Sequence, residues 1–273
     1  IIDLPKADKL KGLISHGQLV VSRNVIDSTE KDRLIDELLI MLDAGNGTGQ
    51  QRKELGVLLG RLGDPRLREP RHDNYWVDVK LEHGAMVQVG RSLVTTDEFK
   101  KWIDAGGYTD ESNWSDAGKA WLRTAQPTWE QLSVDPEVAH LIIPNQPVVG
   151  VNWYEADAYA RAHTARLPTN AERRWIVRGS EKRPYPWGQP FGDGNANTRE
   201  ESLGGPCAIG LFLHDRTPDG VWDLAGNVAE WLNDETESQR MLHPGSWVRP
   251  SMASWAKALE LSPPDTRSAD LGF

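Results

Sequence analysis

Gly220-Val221-Trp222-Asp223-Leu224-Ala225-Gly226-Asn227-Val228-Ala229-Glu230-Trp231 is the stretch from which the fold is read. Gly226 and Asn227 suit a tight bend with positive φ, since glycine has no Cβ and asparagine tolerates the left-handed region. Asp223 and Glu230 flank the bend and are candidates for pinning it. Upstream, Arg166-Leu167-Pro168-Thr169-Asn170-Ala171-Glu172 runs from an extended piece into a capped helix: Pro168 fixes its own φ and biases Leu167 away from helix. Thr169 and Glu172 have the spacing of a capping box, as do Thr95 with Glu98 and Asn152 with Glu155. Three helices are therefore expected, with Gly106 and Gly179 as stops. Beyond Gly179 the helical period disappears into short aromatic and β-branched pieces broken by Gly, Pro, Asn and Asp, which reads as loops with short strands.

All 12 tryptophans lie between Trp76 and Trp255. They supply the packing that a long loop-rich region needs. The tryptophan-free start is rich in Leu, Lys, Asp and Glu, and the shift places a boundary near residues 64–75. Leu34, Leu38, Leu39 and Leu42 have helical spacing behind Ser28 and Thr29, in a helix ending at Gly45, and a second helix is expected from Gln50 to Leu62. The organisation expected is a helical hairpin, or the end of a helical-repeat array, over 1–70, followed by one domain over 71–273. Leu59-Gly60-Arg61-Leu62-Gly63-Asp64-Pro65 suggests the repeat, and a single copy cannot establish one.

Forty acidic against 31 basic residues give a net charge of −9, and no basic run is interleaved with aromatics. Nucleic acid is therefore not an expected partner. No apolar stretch is long enough to span a bilayer and no leader-like segment is read at the start, so a soluble chain is expected, with the cytoplasm slightly favoured. Cys207 is the only cysteine, which excludes an internal disulfide and any chemistry needing two thiols within the chain. A lone cysteine reads first as a small buried hydrophobe.

The stretches quoted above occur in order with Gln146-Pro147-Val148-Val149-Gly150-Val151, Tyr185-Pro186-Trp187-Gly188, Asn195-Ala196-Asn197, Gly245-Ser246-Trp247 and Leu271-Gly272-Phe273. Together they resemble the formylglycine-generating enzyme (sulfatase-modifying factor) family, over about residues 75–273. The resemblance implies an α+β, C-type-lectin-like fold with many irregular loops, preceded by a short helical region. It also implies a calcium site built from the side chains of Asp223 and Glu230 and the carbonyls of Gly226 and Val228, all hard oxygen donors. Without metal, Glu230 would be a buried carboxylate accepting loop N–H bonds.

Family members that oxidise a sulfatase cysteine use two cysteines shortly before the final Gly-Phe. Between Gly245 and Phe273 this chain has neither Cys nor His, so thiolate coordination of copper there is impossible. A second branch makes sulfoxides with iron held by histidines, and the seven histidines here show no His-x3-His-x-Glu cluster. The expectation is accordingly that the chain is not an enzyme and requires no cofactor. His243-Pro244 stands where relatives carry Arg-Gly.

The segment 247–271 departs most from the family pattern. Gly245, Ser246, Trp247, Pro264, Asp265, Arg267, Gly272 and Phe273 are kept, while Trp255 and Leu259 replace two arginines. In this the chain is similar to the variable proteins of diversity-generating retroelements, whose lectin-type domain ends in a segment altered by adenine-directed mutagenesis. That resemblance implies a surface for a protein or other macromolecular ligand, with Val248, Arg249, Met252, Ser254, Trp255, Lys257, Leu259, Leu261, Thr266, Ser268 and Asp270 as binding residues and Trp255 as the main anchor. Two alternatives stand beside it, an unvaried interaction module of a multidomain signalling protein and, less favoured, a formylglycine-generating-type oxidase; the bland reading of the segment is a degenerate enzyme segment with Trp255 and Leu259 packed into the core. Exposure of Trp255 with Met252, Leu259 and Leu261 separates them.

Overall fold

All three anticipated capping boxes are formed in the computed structural model, which describes residues 6–23, 27–124 and 127–273. Thr95, Asn152 and Thr169 each cap a helix, and Glu98, Glu155 and Glu172 return a carboxylate to the capping residue's N–H. Among the described residues the helices are α1 (Lys6–Arg23), α2 (Ser28–Asp43), α3 (Gly49–Leu62), α4 (Thr96–Asp104), α5 (Asp116–Leu122), α6 (Trp129–Ser133), α7 (Pro136–Ala139), α8 (Trp153–Ala162) and α9 (Asn170–Arg178). Gly106 and Gly179 close α4 and α9 with φ of +91° and +55°. Three differences from the sequence reading appear. A helix, α1, precedes the expected pair, and its apolar side adds Leu10, Leu13, Ile14 and Val20 to their core. Asp27, rather than Ser28, caps α2 by accepting from the N–H groups of Thr29 and Glu30. The short helices α5 to α7 offer too few turns for a period to be read.

The strands are β1 (Trp76–Lys80), β2 (Met86–Gly90), β3 (Ala229–Thr236), β4 (Gln239–His243), β5 (Glu260–Ser262) and β6 (Leu271–Gly272). β1 and β2 form an antiparallel hairpin, and the second sheet has the order β5-β4-β3-β6, with β6 parallel to β3 and the other pairs antiparallel. The fold is thus α+β. An aromatic core gathers Phe99, Trp102, Trp114, Trp121, Trp129 and Tyr159 between α4, α5, α6 and α8. A second cluster, including Trp153, Leu167, Trp231, Leu242 and Leu271, joins α8 to the four-stranded sheet. Burying such side chains stabilises by about 1.5–3 kcal/mol each.

The helical segment shares its core with the loop that carries Leu203, Cys207, Leu211 and Phe212. α3 approaches closely because its glycines allow it: a Cβ on Gly60 would stand 2.3 Å from Asn145 Oδ1, and one on Gly56 would stand 2.9 Å from the Ala208 Cβ. Asn145 Nδ2 donates across this contact to Gly56 O at 3.0 Å and to Asp64 Oδ2 at 2.8 Å. Cys207 is fully buried here, with burial pushing its thiol pKa well up, so it packs as a small hydrophobe. Among the described residues no helix is long and apolar enough to cross a membrane.

Candidate functional site

The bend read from Gly226 and Asn227 is held by a residue the sequence reading did not single out. Asp215 is fully buried, and its carboxyl accepts from the N–H groups of Leu224, Ala225 and Gly226 at 3.0 to 3.2 Å. Its signal was present in Asp215-Arg216-Thr217-Pro218-Asp219-Gly220, but nothing local tied that turn to the bend. Asn227 has φ of +70°, as anticipated. Gly226 is needed for space instead, because a Cβ there would lie 2.6 Å from Asn197 O.

The calcium set implied by the family does not fit this geometry. Arg173 holds both carboxylate oxygens of Glu230, at 2.5 and 3.0 Å, in a buried two-pronged pair, and a guanidinium there repels a second cation. Asp223 accepts from Gly210 N–H at 2.7 Å, which already engages one of its carboxylate oxygens. Val228 and Gly226 belong to the buried bend, where Gly226 N–H donates to Asp215. Glu230 takes an arginine rather than the loop N–H bonds foreseen without metal; Asp215 takes those. Among the described residues no group of three or more His, Cys, Asp or Glu is placed to hold a metal ion.

The segment 247–271 has its main chain tied to the scaffold at short intervals. Trp247 N–H donates to Asn227 O at 3.0 Å, and Ser251 N–H donates to Glu200 at 2.9 Å. Ala256 N–H reaches Pro184 O at 2.8 Å, and Trp153 N–H reaches Pro264 O at 2.9 Å. β5 pairs with β4 in the register Met241 with Leu261. Arg267 closes the far end, with Nη1 at 2.5 Å and Nη2 at 2.8 Å from the carboxylate of the fully buried Glu155. Glu155 also accepts from Tyr108 Oη and Trp129 N–H, at 2.7 and 2.9 Å.

The side chains largely do the opposite. Met252 is 76% and Trp255 46% exposed, and Val248, Leu259 and Leu261 are exposed with them. Arg249, Lys257 and Ser268 are exposed too. Trp255 and Leu259 are therefore not core residues. Lys257 Nζ lies 5.7 Å from the Trp255 ring, and Arg249 pairs with Glu260 at 3.0 Å. Three of the expected binding residues differ. Ser254 is 1% exposed, because it lies between the turn at Met252 and the core residue Ala256, and so cannot touch a ligand. Thr266 and Asp270 are half-buried. Thr266 takes a bond from Ser262 at 2.9 Å, while Asp270 accepts from the hydroxyls of Ser246, at 2.7 Å, and Ser268. Beyond Leu261 lies an open groove of about 1180 Å³, walled by Trp121, Tyr154, Thr236, Pro264 and Asp265, which the sequence did not reveal because its walls come from four separate elements.

The sequence profile of the sulfatase-modifying factor enzyme 1-like domain family matches residues 84–273. The chain belongs to this family. Sulfatase-modifying-factor relatives include hercynine oxygenase of Mycolicibacterium thermoresistibile, 30% identical over 212 residues, covering 62% of this chain and 47% of that protein. Formylglycine-generating enzyme of Streptomyces coelicolor is 30% identical over 191 residues, covering 56% of this chain and 59% of the relative. Among solved structures, Treponema denticola variable protein 1 is similar with a TM-score of 0.47 and 18% identity, over 74% of this chain and 88% of that one. The chain spans about half the length of the hercynine oxygenases it matches. These names correct the expectation that the chain is not an enzyme: its curated relatives include proteins named for catalysis. The missing C-terminal cysteine pair excludes one way of holding copper, which is narrower than excluding catalysis.

Proposed function

We propose that this member of the family is a ligand-binding protein, whose binding face is formed by the outward side chains of residues 248–261 on a C-type-lectin-like scaffold. The observation that carries the reading is the concentration of exposed apolar bulk. Of the ten exposed large hydrophobic residues among those described, five are Val248, Met252, Trp255, Leu259 and Leu261. Apolar surface gathered in this way marks contact sites, and an aromatic anchor beside a cation is typical of binding hot spots. A main chain fixed independently of these side chains allows them to change without loss of fold, which is the property a diversified binding segment requires. Recognition of this kind serves a binding protein and an enzyme equally.

Two measurements test the reading. The locus is sequenced for a reverse-transcriptase gene and a near-copy of the stretch encoding 247–273 that differs mainly at adenines; its absence removes diversification from the reading. Protein and glycan arrays are probed with the chain and with a Met252→Ser/Trp255→Ser/Leu259→Ser variant. Signals that the variant retains sink the assignment of the face.

A further inference from the structure

A second cavity, remote in sequence from the C-terminal face and independent of it, lies where the residues following α3 meet the β1–β2 hairpin. It measures about 180 Å³, and its charged lining is Arg66, Arg68, Arg91 and the single acid Glu98, beside Tyr75 and Trp222. On a chain of net charge −9 this is a local reversal of sign. We propose that this pocket binds a small oxyanion, a phosphate or carboxylate group, held by Arg66 and Arg91 with the indole N–H of Trp222 as a neutral donor.

The site is built rather than incidental. The main chain of Arg91 bridges the other two walls: its N–H donates to Tyr75 O at 2.9 Å and its carbonyl accepts from Trp222 N–H at 2.8 Å. Arg91 Nε donates to Asn74 O at 3.0 Å, which orients the guanidinium. Arg66 is oriented by Asp64, at 2.7 Å from Nη2 and 3.0 Å from Nε, and Asp64 is fixed in turn by Asn145 at 2.8 Å. Asp64 offsets part of the Arg66 charge, and among the described residues neither Arg68 nor Arg91 forms an ion pair with an acid. Arg68 turns its Nη1 onto the carbonyls of Leu67, at 2.8 Å, and Pro65. Trp222 Nε1 is buried and has no hydrogen-bond partner. A buried N–H without an acceptor is unfavourable, and an oxyanion beside the Arg91 guanidinium, whose Nη groups are not used by Asn74, is the acceptor that chemistry best supplies. Glu98 opposes an anion least where it is protonated: burial raises its pKa to about 7, and its carboxyl already binds Thr95 through N–H and hydroxyl at 2.8 and 2.6 Å.

The test is calorimetric titration of the whole chain at about pH 6 with inorganic phosphate and, separately, acetate, while NMR follows the indole N–H resonances. Saturable binding with movement of the Trp222 indole signal is expected, weakened about tenfold in Arg91→Gln and severalfold in Trp222→Phe, as loss of a charge-assisted or neutral donor implies. Arg91→Lys keeps the charge without the fork, and an intermediate affinity is expected; it also keeps the test open if Arg91→Gln does not fold. Tighter phosphate binding assigns the site to a phosphorylated ligand, and tighter acetate binding to a carboxylate. No saturable binding of either anion, equal response to chloride at matched ionic strength, or affinity that Arg91→Gln and Arg91→Lys both leave unchanged overturns the proposal.

Discussion

The ring of His243 ties the segment 247–271 to the sheet through Trp255: Nε2 lies 3.1 Å from the Trp255 carbonyl, while Nδ1 accepts from Gly245 N–H at 3.3 Å. That pair of contacts sets the tautomer, since a ring nitrogen that accepts carries no proton and the other must donate. His243 is buried, and burial first, then the nearby Arg173 guanidinium, holds its pKa well below the ordinary histidine value. The residue that exposes its indole to solvent is thereby held at its carbonyl from within.

The pH dependence follows. The folded chain keeps His243 neutral, while the unfolded chain protonates it near its usual value of about 6.5. Below that point the unfolded state binds more protons, so stability falls as pH falls, by up to about 1.4 kcal/mol per pH unit for one such group. Denaturant unfolding from pH 7 to 5 is expected to show a shallower loss in His243→Gln than in the native sequence; parallel curves would mean that His243 titrates normally.

Asp223 works in the opposite sense. Burial raises its folded pKa to about 7 from 3.8, so the folded state binds the extra proton between these values. Its contribution is present below about pH 4 and lost as pH rises through 7. Asp223→Asn is expected to flatten that loss between pH 5 and 8. The same series in urea measures it, with an unaltered slope as the contrary result.

Removal of Arg267 tests the far end of the segment. It leaves the buried Glu155 carboxylate without its charged partner, a change that typically costs about 3–5 kcal/mol. Arg267→Ala is expected to lower the urea midpoint accordingly, whereas a loss under about 1 kcal/mol would mean that the pair is solvent-screened.

The divide between outward and inward side chains predicts two unequal substitutions close together in sequence. Met252→Ser is expected to change stability by no more than about 0.5 kcal/mol. Ala256→Asp puts a charge where the side chain is 2% exposed against Val77 and Ile176, and is expected to cost several kcal/mol. Thermal unfolding of both variants checks this, and comparable losses would contradict the arrangement.

Much of the fold was legible because it is written locally. A capping box places donor and acceptor three residues apart, so Thr95, Asn152 and Thr169 announced their helices from sequence alone. The tie between Asp215 and the bend at Ala225 depends on tertiary packing, and no spacing rule reports it. The Glu230 case is similar: the neighbours that make a carboxylate a metal ligand or an ion-pair partner come from another helix, here through Arg173. Trp255 and Ser254 show the finest limit. Adjacent residues in a short turn point to opposite environments, and composition cannot say which one faces water.

The closely spaced main-chain ties of residues 247–271 also bear on how this part of the molecule opens. An amide exchanges its hydrogen when the structure protecting it lets go, and regions stabilised by their own few contacts let go first. Here the N–H groups of Trp247 and Ala256 are bonded to the carbonyls of Asn227 and Pro184, the carbonyls of Asp270 and Leu271 accept from the N–H groups of Ala229 and Gly150, and Phe273 O accepts from Val94 N–H. Freeing the segment therefore means separating it from several elements together. Its amides are expected to exchange with the slow class of the interior, although its side chains meet solvent: in kinetic terms the face behaves as core, and in chemical terms as surface.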